Sequence, residues 1–237
     1  MKRWGEVTAF LDGARFSAVL EVPIRCGTSR DRFAILSELA RGRRVIDLGC
    51  ADHLPLIVDK RARRAWLHSW IVGAARRCIG IDIDATAIAA LQEVGEPDVF
   101  VADITRPVPE IAAEHWDLII AGEILEHIDD PVAFLKAIRE QHGGRIGKIA
   151  ISVPNGFALA NFIGALGRET INSDHRYWFT PYTLAKVLVR AGLTPEWFTF
   201  CDPFPLPPSW TPKRGIRTAL YRAIPALRKG LIMVGRF

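Results

Sequence analysis

The stretch RRVIDLGC, from Arg43 to Cys50, decides the fold that we predict for this chain. It is a short apolar run that ends near a glycine, which is typical of a buried parallel strand entering a turn. Similar runs recur downstream, and most are separated by segments whose apolar residues have helical spacing. Because strands that alternate with helices indicate a doubly wound sheet, we expect an α/β fold with a mostly parallel sheet.

Seven segments are predicted to be strands of this sheet: RRVIDLGC, CIGIDID, VFVAD, HWDLIIAGE, GKIAISVPN, LTPEWFTF and LIMVGRF. Helices are predicted between them over 66–77, over 85–93 with Asp84 as the cap, from Pro131 with Asp129 or Asp130 as the cap, and over 180–191 with Thr180 as the cap. The first forty residues are predicted to form a helical cap that contains a helix over 31–39.

Length and composition restrict the class of protein. The 237 residues suit one α/β domain, and 49% hydrophobic with 24% charged residues is typical of a folded globular chain. We expect a cap over 1–40, a cofactor-binding core over 41–202 and a basic helix with the last strand over 203–237. No apolar run reaches the roughly 18 residues of a membrane span, and no signal peptide is recognisable. The four cysteines are far apart without a CxxC pair, so we expect a reduced, cytoplasmic protein and predict no metal site.

Positive charge is concentrated in two places, although the net charge is only +5. One is KRARR at 60–64, and the other is the acid-free run over 213–229. We interpret both as solvated faces rather than as sites for an anionic partner. The second run could form a basic amphipathic helix on an anionic membrane surface. We favour packing of its apolar stripe on the sheet edge with its arginines in solvent; the stripe is Ile216, Leu220, Ile224 and Leu227, and the arginines are Arg217, Arg222 and Arg228.

Polar residues collect at the predicted carboxyl ends of the strands, where open parallel sheets bind ligands. Asp47 and Gly49 close the first strand, where glycine lets backbone approach a ligand and a carboxylate accepts hydrogen bonds. Asp82 ends the second strand, where an acid characteristically binds the hydroxyls of a ribose. Asp103 ends the third strand and is placed to accept a hydrogen bond from an adenine amine. Each residue alone has a structural explanation as a cap or turn, but the ordered set is a much stronger signal.

These residues resemble the motifs of class I S-adenosylmethionine-dependent methyltransferases, especially the branch that acts on small molecules and glycans. The resemblance covers about Val45 to Gly192. VIDLGCAD looks like the cofactor loop, IGIDID the ribose-binding acid, VADI the adenine contact and DLIIAGEILEHIDDP the fourth-strand signature. ISVPN and DHRYWFTPYTLAKVLVRAGL look like the segments that shape the acceptor side. The resemblance implies a Rossmann-like fold, S-adenosylmethionine as cofactor, and a cofactor-binding set of Asp47, Gly49, Cys50, Asp82, Ile83, Asp103, Ile104, Gly122 and Glu123.

The cofactor loop departs from the family pattern in two ways. Ala51 and His53 stand where the family's loop usually continues with glycines, and the interval from Asp47 to Asp82 is long, consistent with an insert over 52–64. We expect His53 to close the loop over the methionine part of the cofactor, so that His53→Gly would keep the fold and change cofactor affinity. The departures also leave a second hypothesis open, in which the chain is a binding or scaffold protein that kept the fold and lost turnover.

Two related enzyme classes fit the sequence less well. A nicotinamide enzyme would normally carry GxGxxG after the first strand to bind a pyrophosphate, and the loop here lacks that pattern. DNA amino-methyltransferases resemble this chain in fold but carry an NPPY-like turn after the fourth strand, where this chain has AGEILEH. A nucleic-acid substrate is therefore not expected, and we predict a small-molecule or glycan acceptor that is methylated at oxygen.

A hydroxyl acceptor needs alignment and also a base, whereas a carboxylic acid acceptor would need only alignment. Candidate bases are His175, His127, Glu126 and Glu123, and each also has a structural explanation as a capping, turn or loop-bracing residue. We favour His175 narrowly, because the resemblance places SDHRYWF over the mouth of the active site and the ordinary histidine pKa of about 6.5 suits proton removal. Tyr177 and Trp178 are expected to form an apolar wall beside it.

Overall fold

One sheet organises the structure. The computed structural model describes residues 4, 7–24, 26–51, 60, 65–204 and 212–237, which contain an eight-stranded sheet in the order β1-β7-β8-β6-β5-β2-β3-β4. The strands are β1 Gly27–Asp31, β2 Arg44–Leu48, β3 Arg77–Asp82, β4 Val99–Val101, β5 Trp116–Gly122, β6 Ile146–Pro154, β7 Thr194–Asp202 and β8 Gly230–Arg236. Strand β8 runs antiparallel to β6 and β7, and the other paired strands are parallel. The predicted doubly wound, mostly parallel α/β sheet is confirmed.

Helices connect the strands and cover the sheet. They are α1 Thr8–Leu11, α2 Arg32–Ala40, α3 Leu67–Ala74, α4 Ala85–Glu93, α5 Pro109–Ala112, α6 Pro131–His142, α7 Leu159–Gly164, α8 Pro181–Arg190 and α9 Pro212–Ala223, with 3-10 turns at Leu125–His127 and Pro225–Leu227. The caps follow the sequence: Asp84 accepts the backbone N–H groups of Thr86 and Ala87, and Asp130 accepts that of Ala133.

Alternating residues of the central strands build two buried clusters, one on each face of the sheet. In β2, Ile46 and Leu48 pack into one cluster, while Val45 packs into the other. This separation follows from the two-residue period of a strand. Helices on both faces bury these residues, which explains why the strand is a nearly continuous apolar run.

The predicted N-terminal cap differs from the structure. Gly27–Asp31 form strand β1, which pairs in parallel with β7 and makes the sheet eight-stranded instead of seven-stranded. The segment has no apolar alternation, so nothing in its sequence indicates a strand, and its position at the sheet edge comes from pairing alone. The helix predicted after it is present as α2, with Asp31 as its cap. The division into one domain with the three predicted segments stays a prediction.

The C-terminal helix α9 also differs from the favoured interpretation. Ile216 is 73% exposed and Ile224 is 48% exposed, so the apolar stripe is only partly covered. Arg217 and Arg222 are exposed, as predicted. Arg228 is buried instead and forms an ion pair with the buried carboxylate of Asp202. Contact of the basic helix with an anionic membrane stays a prediction. Within the described part of the chain, no helix has the length and apolar character that crossing a bilayer requires.

Candidate functional site

A cleft of about 850 Å³ opens at the carboxyl ends of β2, β3 and β5. The chain adds β3 and β4 on one side of β2 and then returns to add β5 on the other side, so the cleft lies at the switch in strand order. Most of the predicted site residues line it: Asp47, Gly49, Cys50, Asp82, Ile83, Gly122, Glu123, His127 and His175.

The turn after β2 brings backbone to the edge of this cleft. Gly49 has a φ of +71°, in the left-handed region that favours glycine. A Cβ atom built on Gly49 would lie 2.8 Å from the Cδ1 atom of Ile124. The absence of a side chain here therefore keeps the loop close to the cleft, and this geometry supports the predicted cofactor loop.

The carboxylate of Asp82 is held in place by two backbone donors. The N–H group of Ala51 donates to its Oδ2 atom at 3.1 Å, and the N–H group of Asp84 donates to its Oδ1 atom at 3.0 Å. Each carboxylate oxygen can accept a further hydrogen bond, so the group can still receive two hydroxyls. Beside it, Ile83 is 77% exposed and offers an apolar surface to the cleft.

Asp47 has a buried partner that sequence reasoning missed. Its Oδ2 atom lies 2.8 Å from Nδ1 of His68, and both side chains are buried. Burial raises the pKa of Asp47, and the hydrogen bond to His68 opposes that rise. Nearby, the indole N–H of Trp66 donates to the carbonyl of Cys50 at 2.9 Å. Trp66 and His68, which follow the predicted insert, thus support the cofactor loop. The sequence feature that could have indicated this role is a histidine within an otherwise apolar helix.

The two residues predicted at the end of β4 lie away from the cleft lining. Asp103 is exposed and accepts hydrogen bonds from the backbone N–H and the hydroxyl of Thr105, which lower its pKa. Ile104 is 3% exposed and packs into the core. The structure does not bring either side chain to the cleft, and their contact with adenine stays a prediction.

An ion pair between a buried arginine and a half-buried glutamate crosses the cleft wall near the end of β5. The Nη1 atom of Arg32, on α2, lies 3.0 Å from the Oε1 atom of Glu123. The Nε and Nη1 atoms of Arg32 nevertheless lack a hydrogen-bond partner. Among the described residues other than glycine, only Glu123 has a positive φ, at 59°. Such a conformation costs about 1–3 kcal/mol and is typical of functional sites. Arg32 was not among the predicted site residues. Its position could have indicated a role, because a cation in the first turn of a helix is unfavourable with respect to the helix dipole.

Glu126, His127 and His175 form a compact cluster at this wall. One ligand-type atom from each of the three lies within 4.8 Å of the others. Glu126 is fully buried, and neither of its carboxylate oxygens has a hydrogen-bond partner. The two imidazole rings meet edge to face with centroids 4.8 Å apart. Their segments are joined by Arg176, whose backbone N–H donates to the carbonyl of Glu126 at 2.8 Å and whose Nη1 donates to the carbonyl of His127 at 2.6 Å.

The protonation of the cluster is shifted by its surroundings. Burial, followed by the neighbouring carboxylate of Glu123, raises the pKa of Glu126 to about 8. Burial, followed by the nearby His127, lowers the pKa of His175. Near neutral pH the cluster therefore favours a neutral His175, which can accept a proton or bind an electrophile.

The predicted aromatic wall beside His175 is present in part, because the rings of Trp178 and His175 meet edge to face with centroids 6.4 Å apart. Neither Tyr177 nor Trp178 is among the lining residues of the cleft. The hydroxyl of Tyr177 donates to the carbonyl of Asp129 at 2.6 Å, which fixes the loop after the 3-10 turn. Of the two loop departures, Ala51 lines the cleft and supports Asp82, whereas His53 lies outside the described residues, so its role stays a prediction.

Comparison with known proteins agrees with this geometry. A model of a family described as a methyltransferase domain matches residues 22–196. The chain belongs to this methyltransferase family. The match extends beyond the region in which the motifs were found, and it confirms the predicted class I S-adenosylmethionine-dependent methyltransferase at the level of family and fold, with S-adenosylmethionine as the family's methyl donor.

Curated relatives of the methyltransferase share one name. The Ubiquinone biosynthesis O-methyltransferase of Xanthomonas euvesicatoria pv. vesicatoria (strain 85-10) is 31% identical over 169 residues, which are 67% of this chain and 65% of the relative. The protein of the same name from Dinoroseobacter shibae is 29% identical over 65% of this chain and 61% of the relative. The chain thus spans about 65% or less of the length of these two relatives.

Solved structures agree with the fold of the methyltransferase. An S-adenosylmethionine-dependent methyltransferase from Mesorhizobium loti superimposes with a TM-score of 0.50 at 17% identity and covers 86% of this chain and 95% of its own. The small RNA methyltransferase HEN1 gives a TM-score of 0.55 at 13% identity and covers 93% of this chain but 27% of its own. At these identities the likeness concerns the fold alone.

The Asp47–His68 pair gives a direct test of how the cofactor loop is supported. His68→Ala should lower the free energy of unfolding by about 3–5 kcal/mol, because it leaves a buried carboxylate without its partner. Chemical denaturation measures this loss. His115→Ala removes an exposed imidazole away from the cleft and should change stability by less than about 0.5 kcal/mol. Equal stability of the two variants would mean that the pair does not support the loop.

Proposed function

We propose that this methyltransferase moves a methyl group from S-adenosylmethionine to an oxygen atom of a small-molecule acceptor. One observation carries the proposal: a single cleft is lined by the anchored carboxylate of Asp82 and by His127 and His175. The carboxylate is suited to accept hydrogen bonds from the hydroxyls of a ribose, and the histidines are suited to accept the proton of an acceptor hydroxyl. Both halves of an O-methyl transfer thus have candidate groups in one cleft.

The curated relatives support oxygen as the acceptor atom. Their name, Ubiquinone biosynthesis O-methyltransferase, states that they methylate oxygen. Since the chain matches only part of the length of these relatives, we do not assign their substrate to this chain. Small-molecule hydroxyl compounds are the first acceptors to test, and glycans are the second.

On the cofactor side, we assign roles from position in the cleft. Asp82 would accept the ribose hydroxyls, and the exposed Ile83 would pack on adenine. The backbone of Gly49 and Cys50 would approach the methionine part, above the buried Asp47. The predicted set also includes Gly122 and Glu123 at the same cleft edge, and Asp103 and Ile104 at the end of β4.

Arg32 is an added candidate for the cofactor's carboxylate. Its side chain lines the cleft, it is 7% exposed, and two of its nitrogen atoms lack hydrogen-bond partners. A guanidinium in this state is well suited to a carboxylate, with which it forms charge-assisted hydrogen bonds. Its ion pair with the strained Glu123 would hold it in position before the cofactor binds.

The residues of the chain contribute mainly alignment. S-adenosylmethionine supplies a methyl group on a positively charged sulfur, which is already strongly electrophilic. The cleft would hold the acceptor hydroxyl in line with that methyl group, an effect that can lower a barrier by roughly 7–11 kcal/mol at best. His175 would accept the hydroxyl proton while the oxygen forms the new bond to carbon and the sulfur keeps the electron pair of the bond that breaks. His127 and Glu126 lie beside it as alternative or supporting groups.

A scaffold protein that kept the fold remains the alternative function. It would bind S-adenosylmethionine without turnover, because binding needs only the cofactor half of the cleft. The acceptor can be sought without bias by untargeted mass spectrometry of cells that lack the protein. We expect a metabolite lighter than its normal product by one methylene group to accumulate, and the purified protein to methylate it. Cofactor binding without any such metabolite would favour the scaffold.

The role of Asp82 predicts a change in cofactor affinity. Asp82→Ala should weaken binding of S-adenosylmethionine by about 1.5–3 kcal/mol, the range for hydrogen bonds to a charged group. Asp103→Ala should weaken it less, because that side chain lies away from the cleft lining. Isothermal titration measures both, with Glu93→Ala, an exposed acid on α4, as the matched control. Unchanged affinity in Asp82→Ala would remove the ribose assignment.

The role of His175 predicts a loss of rate at constant cofactor affinity. His175→Ala should slow methyl transfer by about 10²–10⁴-fold, the usual contribution of a positioned acid or base. Rates are measured with the acceptor found above, and titration with S-adenosylmethionine shows whether the cleft is intact. His115→Ala serves as the control. Full activity of His175→Ala would mean that His127 has the role or that the acceptor is an acid that needs no base.

A further inference from the structure

The cluster of Glu126, His127 and His175 has the composition of a cation site. Its three ligand-type atoms, two imidazole nitrogens and one carboxylate oxygen, lie within 4.8 Å of one another. Bonds of about 2.0–2.2 Å from such atoms to a metal ion place neighbouring ligands about 3–3.5 Å apart. Small side-chain rotations would therefore bring the three atoms to coordination distance.

Glu126 supplies an independent reason to look for a cation. Its side chain is fully buried, and both carboxylate oxygens lack hydrogen-bond partners. Leaving a buried polar group unsatisfied costs about 1–3 kcal/mol, and more for a charged group. The Nε2 atom of His175 is 4.0 Å from the Oε1 atom of Glu126, which is too far for a hydrogen bond. Arg32 is engaged with Glu123 instead.

The imidazole of His175 is also available for coordination. The Nδ1 atom of His175 is buried without a hydrogen-bond partner. Arg176 ties the backbones of Glu126 and His127 to the His175 segment, so the three groups come together from two parts of the chain. His127 and His175 also line the cleft, so a cation between them would be open to an acceptor.

We infer that Glu126, His127 and His175 bind a divalent transition-metal cation at the wall of the cleft. Two imidazoles with one carboxylate favour Mn²⁺, Fe²⁺, Co²⁺ or Zn²⁺ over Mg²⁺ or Ca²⁺, which prefer oxygen ligands. Three protein ligands leave coordination positions open for an acceptor oxygen. The cation would lower the pKa of that hydroxyl, so that its proton leaves to water and His175 serves as a ligand rather than as the base.

The catalytic part of this inference rests on the proposed function, but cation binding is measured without an acceptor. The protein is freed of metal with a chelator and titrated with Mn²⁺ or Zn²⁺ alone by calorimetry. We expect one cation for each chain, with a Kd at least tenfold weaker in Glu126→Gln, in His127→Ala and in His175→Ala. His115→Ala, which removes an exposed imidazole outside the cleft, should bind as the original chain does.

Titration with S-adenosylmethionine shows that each variant is folded, and absorption of bound Co²⁺ gives a second readout of the ligand set. Equal cation affinity in all variants, or no binding at millimolar cation, would overturn the inference. Methyl transfer that persists in chelator but is lost in His175→Ala would also overturn its catalytic part, while the proposed function would stand. Specific cation binding with no transfer to any hydroxyl compound would leave the site standing and reject the proposed function.

Discussion

The parallel register of β2 with its two neighbours is the constraint on which the site depends. Leu48 of β2 pairs with Ile81 of β3 on one side and with Ala121 of β5 on the other. The residues that follow these three therefore lie side by side at the carboxyl ends of the strands. They are Gly49, Asp82 and Gly122, and all three line the cleft. A shift of one residue in either pairing would turn the alternate side chains to the wrong faces and separate these groups.

Around this edge, one unfavourable backbone conformation and several buried ionisable groups lie close together. Glu123 has left-handed backbone, Asp47 and Glu126 are buried carboxylates, and Arg32 is a buried cation at a helix start. Each of these features opposes folding by itself, and the surrounding sheet and helices compensate for it. Such a concentration is expected where a protein is organised to bind a ligand rather than to be as stable as possible.

Sequence patterns were most informative where local chemistry is sufficient. Buried parallel strands show as apolar runs, and Asp84, Asp130 and Thr180 act as caps because capping involves residues only two or three positions apart. The patterns were least informative at β1, an edge strand without alternation, and at the C-terminal helix. There the burial of Arg228 depends on Asp202, a residue that is distant in sequence and close in space.

The sequence by itself determined the α/β class, the order of strands β2 to β8 along the chain, the motif residues at the strands' carboxyl ends and the methyltransferase family. Each of these follows from periodicity, turn residues or short motifs, which need no knowledge of distant contacts. Only the tertiary structure decided that His68 supports Asp47, that Arg32 faces Glu123, and that His175 meets Glu126 and His127 across about fifty residues of chain. These contacts depend on how the loops return to the sheet edge, and a loop's path is set by packing that no local pattern records.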